Sequence, residues 1–392
     1  MKRILLLSIA SLTMLMADFT LIGEELTPVT ETTAPVVEPT PTPPPVPTTG
    51  SAKTNWGFQP FSIPNDSVTV EVGGDIQAAI NSLPNGGTVN LKAGTYYGAR
   101  IILKSNIVLQ GAGRDSTTIK FNGSSEQTLM QLYGGEENLI LRNFKADATG
   151  TINANGISLS SGSLGANNIL VENLEILGAD KGNLVIYNSS WGDGSSSNIT
   201  FRNIISHDTK TYHAIQVRFS QGVVVDNCTL YNAGEYGIDF SRVKYAEIAN
   251  CSIDSCTGGT KFPGSNYIYI HDTKISNSGS VGIKFRSKIG DGGTGIEYFH
   301  LENVEVTTSA AGVVDWGDEY APQTFEELVL IGNNIHGNNY NTIRVRGANN
   351  AHEYGDNIGL TEARAGTVNS IPHPTGTPEA DGAGWTSWPK FN

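Results

Sequence analysis

The chain has 392 residues, a formal net charge of −13, 45 glycines and a charged fraction of only 16%. Low charge with abundant Gly, Asn, Ser and Thr is typical of an all-β extracellular protein and argues against a helical cytosolic one. The acidic balance argues against nucleic acid as a partner, because phosphate binding needs dense positive charge, whereas a local basic strip can still bind another anionic ligand.

The first 17 residues have the features of a secretory signal peptide. Lys2 and Arg3 supply the positive start, an apolar run extends from Ile4 to Met16, and Ala17 ends a plausible cleavage site. The run is too short to span a bilayer comfortably, so we expect export to the periplasm or the cell exterior and no membrane span. Residues 18–55 are rich in Pro and Thr, cannot bury a core and are expected to form a stiff linker.

The folded domain is expected to occupy residues 56–350. Near its start, the amphipathic segment from Asp75 to Pro84 predicts a short helix with Asp75 as its N-cap. Such a helix would cover the open end of a stack of strands. Residues 351–392 lose the pattern of the preceding chain and are expected to form an irregular tail.

Eight segments of the central region share one pattern of alternating apolar residues that ends on Asn or, once, Asp. The segments are residues 138–143, 168–173, 198–203, 222–227, 245–250, 267–272, 298–303 and 328–333. Their end positions lie 22 to 31 residues apart, and a period near the lower value fits three short strands and three turns per rung. A β-sandwich would not keep one residue type in register so often. The sequence therefore predicts an all-β fold, a single-stranded right-handed parallel β-helix, with the Asn residues as an internal ladder at the bends.

The three cysteines are Cys228, Cys251 and Cys256. An odd number, with the first two in equivalent repeat positions, predicts buried apolar thiols rather than a disulfide framework. No pair has metal-ligand spacing with a nearby His, so we expect no zinc.

A second strand follows the Asn segment in most rungs and predicts a polar strip on one side of the stack. Alternation directs Ile215, Ile238, Phe240 and their equivalents inward. Because stacked strands lie about 4.8 Å apart, equivalent outward residues form columns. The first column contains Gln216, Asp239, Lys261, Lys284 and Arg344, and the second contains Arg218, Ser241, Arg286 and Arg346.

Positive residues concentrate in one column of a chain that is acidic overall, which favours a site for an acidic ligand over an ordinary solvated sheet face. The rung between Lys284 and Arg344 is expected to contribute Asp315 or Trp316. Further candidates lie in loops beside the strip. They are His207, Asp208, His213, Glu235, Tyr236 and Asp254.

From Val68 to Asn350 the chain resembles the superfamily of parallel β-helix proteins that includes pectate lyase, chondroitinase B and alginate lyases. Lyases of the chondroitinase B type carry a Lys on one rung and an Arg on the next. Lys261, in Thr-Lys-Phe-Pro, and Arg286, in Ile-Lys-Phe-Arg, resemble that pair. The resemblance implies that these two residues act as base and acid.

Two other features of these families are echoed in the sequence. Asp239 and Asp254 resemble the calcium ligands of the lyases, which makes Ca²⁺ a candidate cofactor. The chain also resembles mannuronan C5-epimerases, because their Tyr-Gly-hydrophobic-Asp-Pro-His motif is half present as Tyr236-Gly-Ile-Asp239. Phe240 and Ser241 replace the last two residues of that motif.

Elimination from a uronic acid needs a base, a group that protonates the leaving oxygen, and neutralisation of the sugar carboxylate. Lys261 can be the base if neighbouring cations favour its neutral form, and Tyr236 or Arg286 can be the acid. The expected substrate-binding residues are Gln216, Arg218, His213, Lys284, Arg344 and Arg346.

The sequence therefore predicts a secreted, monomeric polysaccharide lyase that acts on an acidic polysaccharide resembling alginate or pectate. Two alternatives remain open. One is a C5-epimerase or hydrolase on a similar polymer, since an epimerase shares the first step of elimination. The other is a non-catalytic carbohydrate-binding or adhesin protein, because the fold by itself specifies no chemistry.

Overall fold

The structure is a computed structural model that describes residues 54, 56–162, 164–188, 195–286, 298–315, 327–338, 340–344, 350–354 and 367–371. The expected signal peptide and nearly all of the expected linker lie outside the described residues. Within the described part, 29 strands pair in parallel and wind into a β-helix with three faces. This confirms the fold that the repeat predicts.

The first face is the one that the polar strip occupies. Its strands are β4 (Ile101–Ile102), β7 (Met130–Leu132), β9 (Ile157–Gly162), β11 (Leu184–Asn188), the start of β14 (Ile215–Asp226), the start of β16 (Tyr236–Ala249), β18 (Gly258–Pro263), β21 (Val281–Arg286), β24 (Ala311–Asp315) and β27 (Tyr340–Arg344).

The second face carries most of the segments of the sequence repeat. Its strands are β1 (Ser67–Val70), β2 (Gly87–Leu91), β5 (Ile107–Gln110), the start of β8 (Glu137–Asp147), the start of β10 (Asn167–Leu177), β12 (Ser196–Arg202), the ends of β14 and β16, β19 (Asn266–His271), β22 (Tyr298–Glu302), β25 (Glu327–Ile331), β28 (Asn350–Tyr354) and β29 (Thr367–Ile371). Because β28 and β29 continue the parallel pairing, the stack extends into the segment that the sequence suggests is irregular.

The third face completes each turn. Its strands are β3 (Gly94–Gly98), β6 (Thr117–Phe121), the ends of β8 and β10, β13 (Ile205–Thr209), β15 (Thr229–Ala233), β17 (Ser252–Asp254), β20 (Lys274–Ser276), β23 (Glu305–Thr307) and β26 (Asn334–His336).

The capping helix is confirmed as α1 (Ile76–Asn81). The Asp75 side chain accepts a hydrogen bond from the backbone N–H of Ala78 at 3.0 Å, as an N-cap does. The helix buries Ile76 and Ile80 in the same core as the strands. Among the described residues, no helix is long and apolar enough to cross a membrane.

The interior is a stack of apolar side chains, one layer for each rung. Ile215, Ile238, Ile283 and Phe240 are fully buried, as the alternation predicts. Four phenylalanine rings continue the stack with centroids 4.1 to 6.1 Å apart; they are those of Phe240, Phe262, Phe285 and Phe299. The three cysteines are buried and free, in agreement with the sequence analysis.

The repeated Asn residues mark the bend between the second and third faces. Asn173, Asn203 and Asn227 have left-handed backbone with φ of 58°, 53° and 53°, a conformation that Asn tolerates better than most residues. Their side chains bond to one another between rungs, as in the 2.7 Å bond from Asn173 Nδ2 to Asn143 Oδ1. These members of the ladder therefore lie on the outside of the bend, which corrects the expectation of an internal ladder for them. Asn333, at the end of the last repeat segment, is fully buried and bonds to the backbone of Leu301 and Val304, as that expectation predicts.

Asn183, at a different bend, is an asparagine that bonds to the backbone from inside. It is fully buried, and its Nδ2 donates to the carbonyls of Ile176 and His207 at 2.9 and 2.8 Å, while its Oδ1 accepts from the N–H of Ala179 at 3.1 Å. Buried backbone groups that lose their partners destabilise a fold.

We predict that Asn183→Ala lowers the free energy of unfolding by roughly 3 kcal/mol, because it leaves these backbone groups unpaired in the core. Denaturant unfolding followed by circular dichroism measures the change. Asn167→Ala, at an exposed position, is the matched control and should shift stability by less than about 0.5 kcal/mol. Equal losses in the two variants would contradict the internal role of Asn183.

Candidate functional site

The structure confirms the register of the first outward column. Gln216, Asp239, Lys261 and Lys284 are successive partners on β14, β16, β18 and β21. Val314 follows Lys284, so the next rung contributes Val314 to the column rather than Asp315 or Trp316. In the second column Arg218 is the partner of Ser241, and Pro263 is the partner of Arg286.

A groove of about 540 Å³ lies over this part of the first face. Polar and charged side chains from five rungs form most of its wall. The lining residues are Asn155, Lys181, Val185, Tyr187, Tyr212, His213, Gln216, Arg218, Glu235, Asp239, Ser241, Arg242, Lys261 and Pro263.

Asp239 is the centre of a hydrogen-bonded cluster at the floor of this groove. Its residue exposure is only 3%. Its Oδ1 accepts from Ser241 Oγ at 2.8 Å. Its Oδ2 accepts from Gln216 Nε2 at 3.2 Å and lies 3.1 Å from His213 Nε2 and 3.6 Å from Lys261 Nζ. Both oxygens of this buried carboxylate are therefore satisfied, as a buried charge requires.

These contacts determine the ionisation of Asp239. Burial by itself raises the pKa of the Asp239 carboxyl. The opposing effects are larger and lower this pKa to about 2; they are the hydrogen bond and charge of His213, the charge of Lys261 and the hydrogen bond from Ser241. Asp239 is therefore ionised throughout the range in which proteins normally work.

The backbone fixes the orientation of His213. The N–H of Tyr236 donates to His213 Nδ1 at 3.2 Å, so the proton that faces the groove is the one on Nε2. That nitrogen points between two carboxylates, 3.1 Å from Asp239 Oδ2 and 3.3 Å from Glu235 Oε2. His213 thus holds Glu235 and Asp239 together instead of presenting a free basic nitrogen to the groove.

Glu235 and Lys261 form an ion pair at the open side of the cluster. Glu235 Oε1 lies 3.5 Å from Lys261 Nζ, and their side chains are 35% and 19% exposed. The Lys261 ammonium also lies 5.1 Å from the ring centroid of Tyr236. The Lys261 ammonium therefore contacts two carboxylates and an aromatic face.

Tyr236 lies beside the groove but does not line it. Its residue exposure is 6%, and its ring packs over Gly258, where an added Cβ would lie 2.2 Å from the ring. Burial raises the pKa of the Tyr236 hydroxyl, and the charges of Glu235 and Asp239 raise it further. A hydrogen bond with Ser280 opposes this increase without cancelling it. The structure therefore makes Tyr236 a support for Lys261 and does not expose its hydroxyl to the groove.

The predicted site residues differ in where they lie and in how much of each the structure describes. Gln216, Arg218, His213, Asp239 and Lys261 meet in the groove, and Lys284 lies beside Lys261 in register. The backbones of Arg286 and Arg344 lie on β21 and β27 of the same face, and their side chains are outside the description. Arg346 lies outside the described residues altogether.

Asp254 is separate from this group. It lies on the third face in register with Tyr231 and Ser276. Its Oδ1 accepts from Ser276 Oγ at 2.6 Å and Asn277 Nδ2 at 2.7 Å, and its Oδ2 accepts from Ser255 Oγ at 2.7 Å. Asp239 and Asp254 therefore do not converge on one ion, contrary to the calcium pair expected from the sequence.

The donor set around Asp239 does not fit Ca²⁺ either. An ammonium group lies beside the carboxylate, and both oxygens already accept hydrogen bonds, whereas Ca²⁺ takes six to eight oxygen ligands. In the part of the chain that the structure describes, no group of three or more His, Cys, Asp and Glu side chains is arranged to hold a metal.

Glu235 and Arg242 both line the groove, but the sequence pattern predicts only a loop position for Glu235 and does not indicate Arg242 at all. Glu235 counts there only as a loop candidate, yet it precedes Asp239 by four residues across the entry to β16, and both carboxylates reach His213. That spacing, with a Gly between, was the available signal. Arg242 occupies a bend with φ of 56°, so strand alternation does not show its direction.

Comparison with known proteins supports the fold. Residues 183–309 match the family model described as the right-handed β-helix region. This match agrees with the right-handed winding that the sequence predicts. No curated protein matches the chain.

Among solved structures, the chain is similar to tailspike protein 2 of an Escherichia coli O157:H7 bacteriophage, with a TM-score of 0.51 and 13% identity over 71% of this chain and 40% of that chain. The enzymatically active domain of tailspike protein 2 from bacteriophage CBA120 gives 0.50 and 11% over 71% and 44%. The A-module of the Azotobacter vinelandii mannuronan C-5 epimerase AlgE4 gives 0.45 and 17% over 75% and 94%. The chain spans less than half of either tailspike chain, and at these identities the likeness concerns the fold alone.

We predict that Asp239→Asn lowers the free energy of unfolding by about 3 kcal/mol, because the new amide turns a donor toward Lys261 and His213 in a buried site. The lowered pKa means that wild-type Asp239 stabilises the fold fully above its ordinary pKa of 3.8, and that this contribution disappears as the pH falls toward 2.

Denaturant unfolding at neutral pH and in acid measures both effects. Glu235→Gln is the matched control at a more exposed carboxylate and should change stability by about 0.5 kcal/mol or less. If Asp239→Asn were as stable as Glu235→Gln, Asp239 would not be the centre of the cluster.

Proposed function

We propose that the chain is a secreted lyase that cleaves an acidic, uronate-containing polysaccharide by β-elimination in the groove of the first face. The observation that carries the proposal is the Glu235–Lys261 ion pair. It places a carboxylate base and an ammonium acid 3.5 Å apart at the accessible edge of an extended polar groove. The match to a tailspike domain described as enzymatically active agrees with a catalytic role for this fold.

The charge of the groove favours a polyanionic substrate. Lys181, Arg218, Arg242 and Lys261 line it in a protein whose net charge is −13. Local positive charge on an acidic background attracts anionic ligands while the rest of the surface repels them.

The contacts assign roles that differ from those expected from the sequence. Lys261 was expected to be a base made neutral by neighbouring cations, but the side chains that it contacts include two carboxylates, those of Glu235 and Asp239. A charged lysine is a proton donor. We therefore assign Glu235 as the base that removes the proton next to the sugar carboxylate, and Lys261 as the acid for the leaving glycosidic oxygen.

The elimination balances with these two groups. The C5–H bond breaks with its proton going to Glu235, a C4–C5 double bond forms, and the C4–O bond breaks as the oxygen takes a proton from Lys261. Proton transfer from Glu235 to the neutral amine across their contact then restores both groups. Asp239 and His213 hold the pair in position, and Gln216 and Lys284 in the same column are assigned to the carboxylate of the cleaved sugar.

Hydrolysis is the second candidate, because Glu235 and Asp239 both approach His213 Nε2. Two carboxylates at one groove are the usual machinery of glycoside hydrolases, one as acid and one as nucleophile or base. Asp239 suits the second role by its ionisation, but its four hydrogen-bonding and ionic partners occupy it more fully than a nucleophile requires.

Export remains part of the proposal and is supported by the sequence alone. The positive start at Lys2 and Arg3 and the apolar run after it suit a substrate that is too large to enter a cell.

Ultraviolet absorbance of the unsaturated product tests the reaction. We expect absorbance to rise when the purified chain is mixed with one of alginate, pectate or chondroitin, and the rise to persist with a calcium chelator. Glu235→Gln and Lys261→Ala should each lower kcat by at least about 100-fold, because each removes a proton-transfer group. Glu172→Gln, an ion-paired surface carboxylate on β10, is the control and should retain full activity.

Other results of the same assay would indicate a different function. New reducing ends without absorbance would indicate hydrolysis. A changed proton NMR spectrum of an uncut polymer would indicate epimerisation. Binding with no chemistry on any polymer would leave a carbohydrate-binding protein and refute the lyase.

A further inference from the structure

Two tyrosine side chains that line the groove are open to solvent, although neither takes part in the elimination. Tyr187 is 43% exposed and Tyr212 is 42% exposed. A large aromatic side chain in a concave and otherwise polar site offers apolar surface to a ligand. The positions of the two rings along the stack determine which part of a bound polymer each of them reaches.

Tyr212 lies one rung before the proposed base, in the loop that leads into β14. Its backbone carbonyl accepts a hydrogen bond from the N–H of Glu235 at 2.9 Å and another from Thr209 Oγ1 at 2.8 Å. These bonds fix the backbone of Tyr212 one strand spacing, about 4.8 Å, from that of Glu235. This spacing is close to the length of one sugar unit, so the Tyr212 ring is placed to contact the sugar next to the one that is cleaved.

Tyr187 lies farther from the ion pair, on β11, two rungs before Asp239. It is the register partner of Arg218, whose guanidinium carbon lies 4.3 Å from the centroid of the Tyr187 ring. This cation–π contact holds the ring in position while much of the side chain stays exposed. Two strand spacings place Tyr187 about 10 Å along the stack from Asp239, which corresponds to roughly two sugar units.

The wall of the groove has the same direction. Four of its lining residues lie at the entry to successive strands of the first face, and in chain order they are Asn155, Lys181, Tyr212 and Glu235. From the ion pair, the described groove therefore continues along the axis of the stack toward the N-terminal rungs. A polymer that lies in this groove passes Tyr212 first and then the rung of Tyr187.

We propose that Tyr212 and Tyr187 stack on the apolar faces of two sugars beyond the cleaved one, and that they select uronate chains with equatorial linkages. Every oxygen substituent of a β-1,4-linked glucuronate is equatorial, so both faces of its ring carry only C–H bonds. An α-1,4-linked galacturonate carries an axial oxygen on each face, which keeps an aromatic ring at a distance. This inference rests on the proposed function for its acidic substrate and adds the linkage geometry that the groove accepts.

Titration calorimetry on the full chain with the Glu235→Gln substitution measures binding without turnover. The probes are oligosaccharides of β-1,4-linked glucuronate, α-1,4-linked galacturonate and β-1,4-linked glucose. We expect the oligoglucuronate to bind about 10-fold more tightly than the oligogalacturonate, and Tyr212→Ala to weaken oligoglucuronate binding about 10-fold and remove that preference. Tyr187→Ala should weaken binding of a hexasaccharide but not of a disaccharide, because its ring lies two rungs from the base.

Two kinds of control separate stacking from a change in the fold. Tyr212→Phe and Tyr187→Phe retain the aromatic face and should bind like the parent. Tyr97→Ala removes a tyrosine that is 64% exposed on β3 of the third face, outside the groove, and should also bind like the parent.

The inference is overturned if Tyr212→Ala binds the oligoglucuronate as tightly as Tyr97→Ala does, if the two uronates bind equally, or if no probe binds. The proposed function fails in a different way. Tyrosine-dependent binding without any ultraviolet-absorbing product from the wild-type chain would refute the lyase and support the stacking positions. Tighter, tyrosine-dependent binding of the glucose oligomer would refute the acidic substrate and again support stacking.

Discussion

The parallel pairing of successive rungs is the constraint on which the rest of this structure depends. Each strand hydrogen-bonds to its equivalent one turn away, so every residue is stacked on a partner about 4.8 Å distant. On the inside this stacks Ile238 on Ile215 and Phe262 on Phe240, and buries them fully. On the outside the same register sets Gln216, Asp239 and Lys261 side by side. Core and site are two sides of one hydrogen-bonding pattern.

The register places ionisable side chains of successive rungs within a few ångströms of one another, where solvent screens their charges only weakly. The cluster around Asp239 shows how the fold accommodates such charges. A buried carboxylate is costly unless each oxygen has partners. Asp239 obtains them from its own strand, through Ser241, and from the rungs on either side, through Gln216 and Lys261. His213 then extends the network to Glu235 at the surface. The buried Asp239 carboxylate thus helps to position the more accessible Glu235–Lys261 pair.

The fold could be predicted because repeated alternation is a property of strands alone. The same alternation placed Lys261 and Arg218 on the outside in the correct columns. It could not place Glu235 or Arg242, because each lies at a bend or strand entry where side-chain direction depends on a single left-handed or irregular residue. Nor could it assign roles, since whether Lys261 is a base or an acid depends on carboxylates that reach it from another rung and from a loop. Asp254 shows the converse error, a residue of suitable type on the wrong face.

Under the proposed function, the charges of the groove account for how an acidic protein would act on an acidic polymer. A carboxylate base is repelled by a polyanion unless cations compensate it. Four cationic side chains line the groove against the two carboxylates Glu235 and Asp239, so its local balance is positive although the chain carries −13. The ammonium of Lys261 screens the base directly, and the two guanidiniums lie farther along the groove. In the proposed mechanism, this positive balance would hold the polymer while the Glu235–Lys261 ion pair exchanges protons.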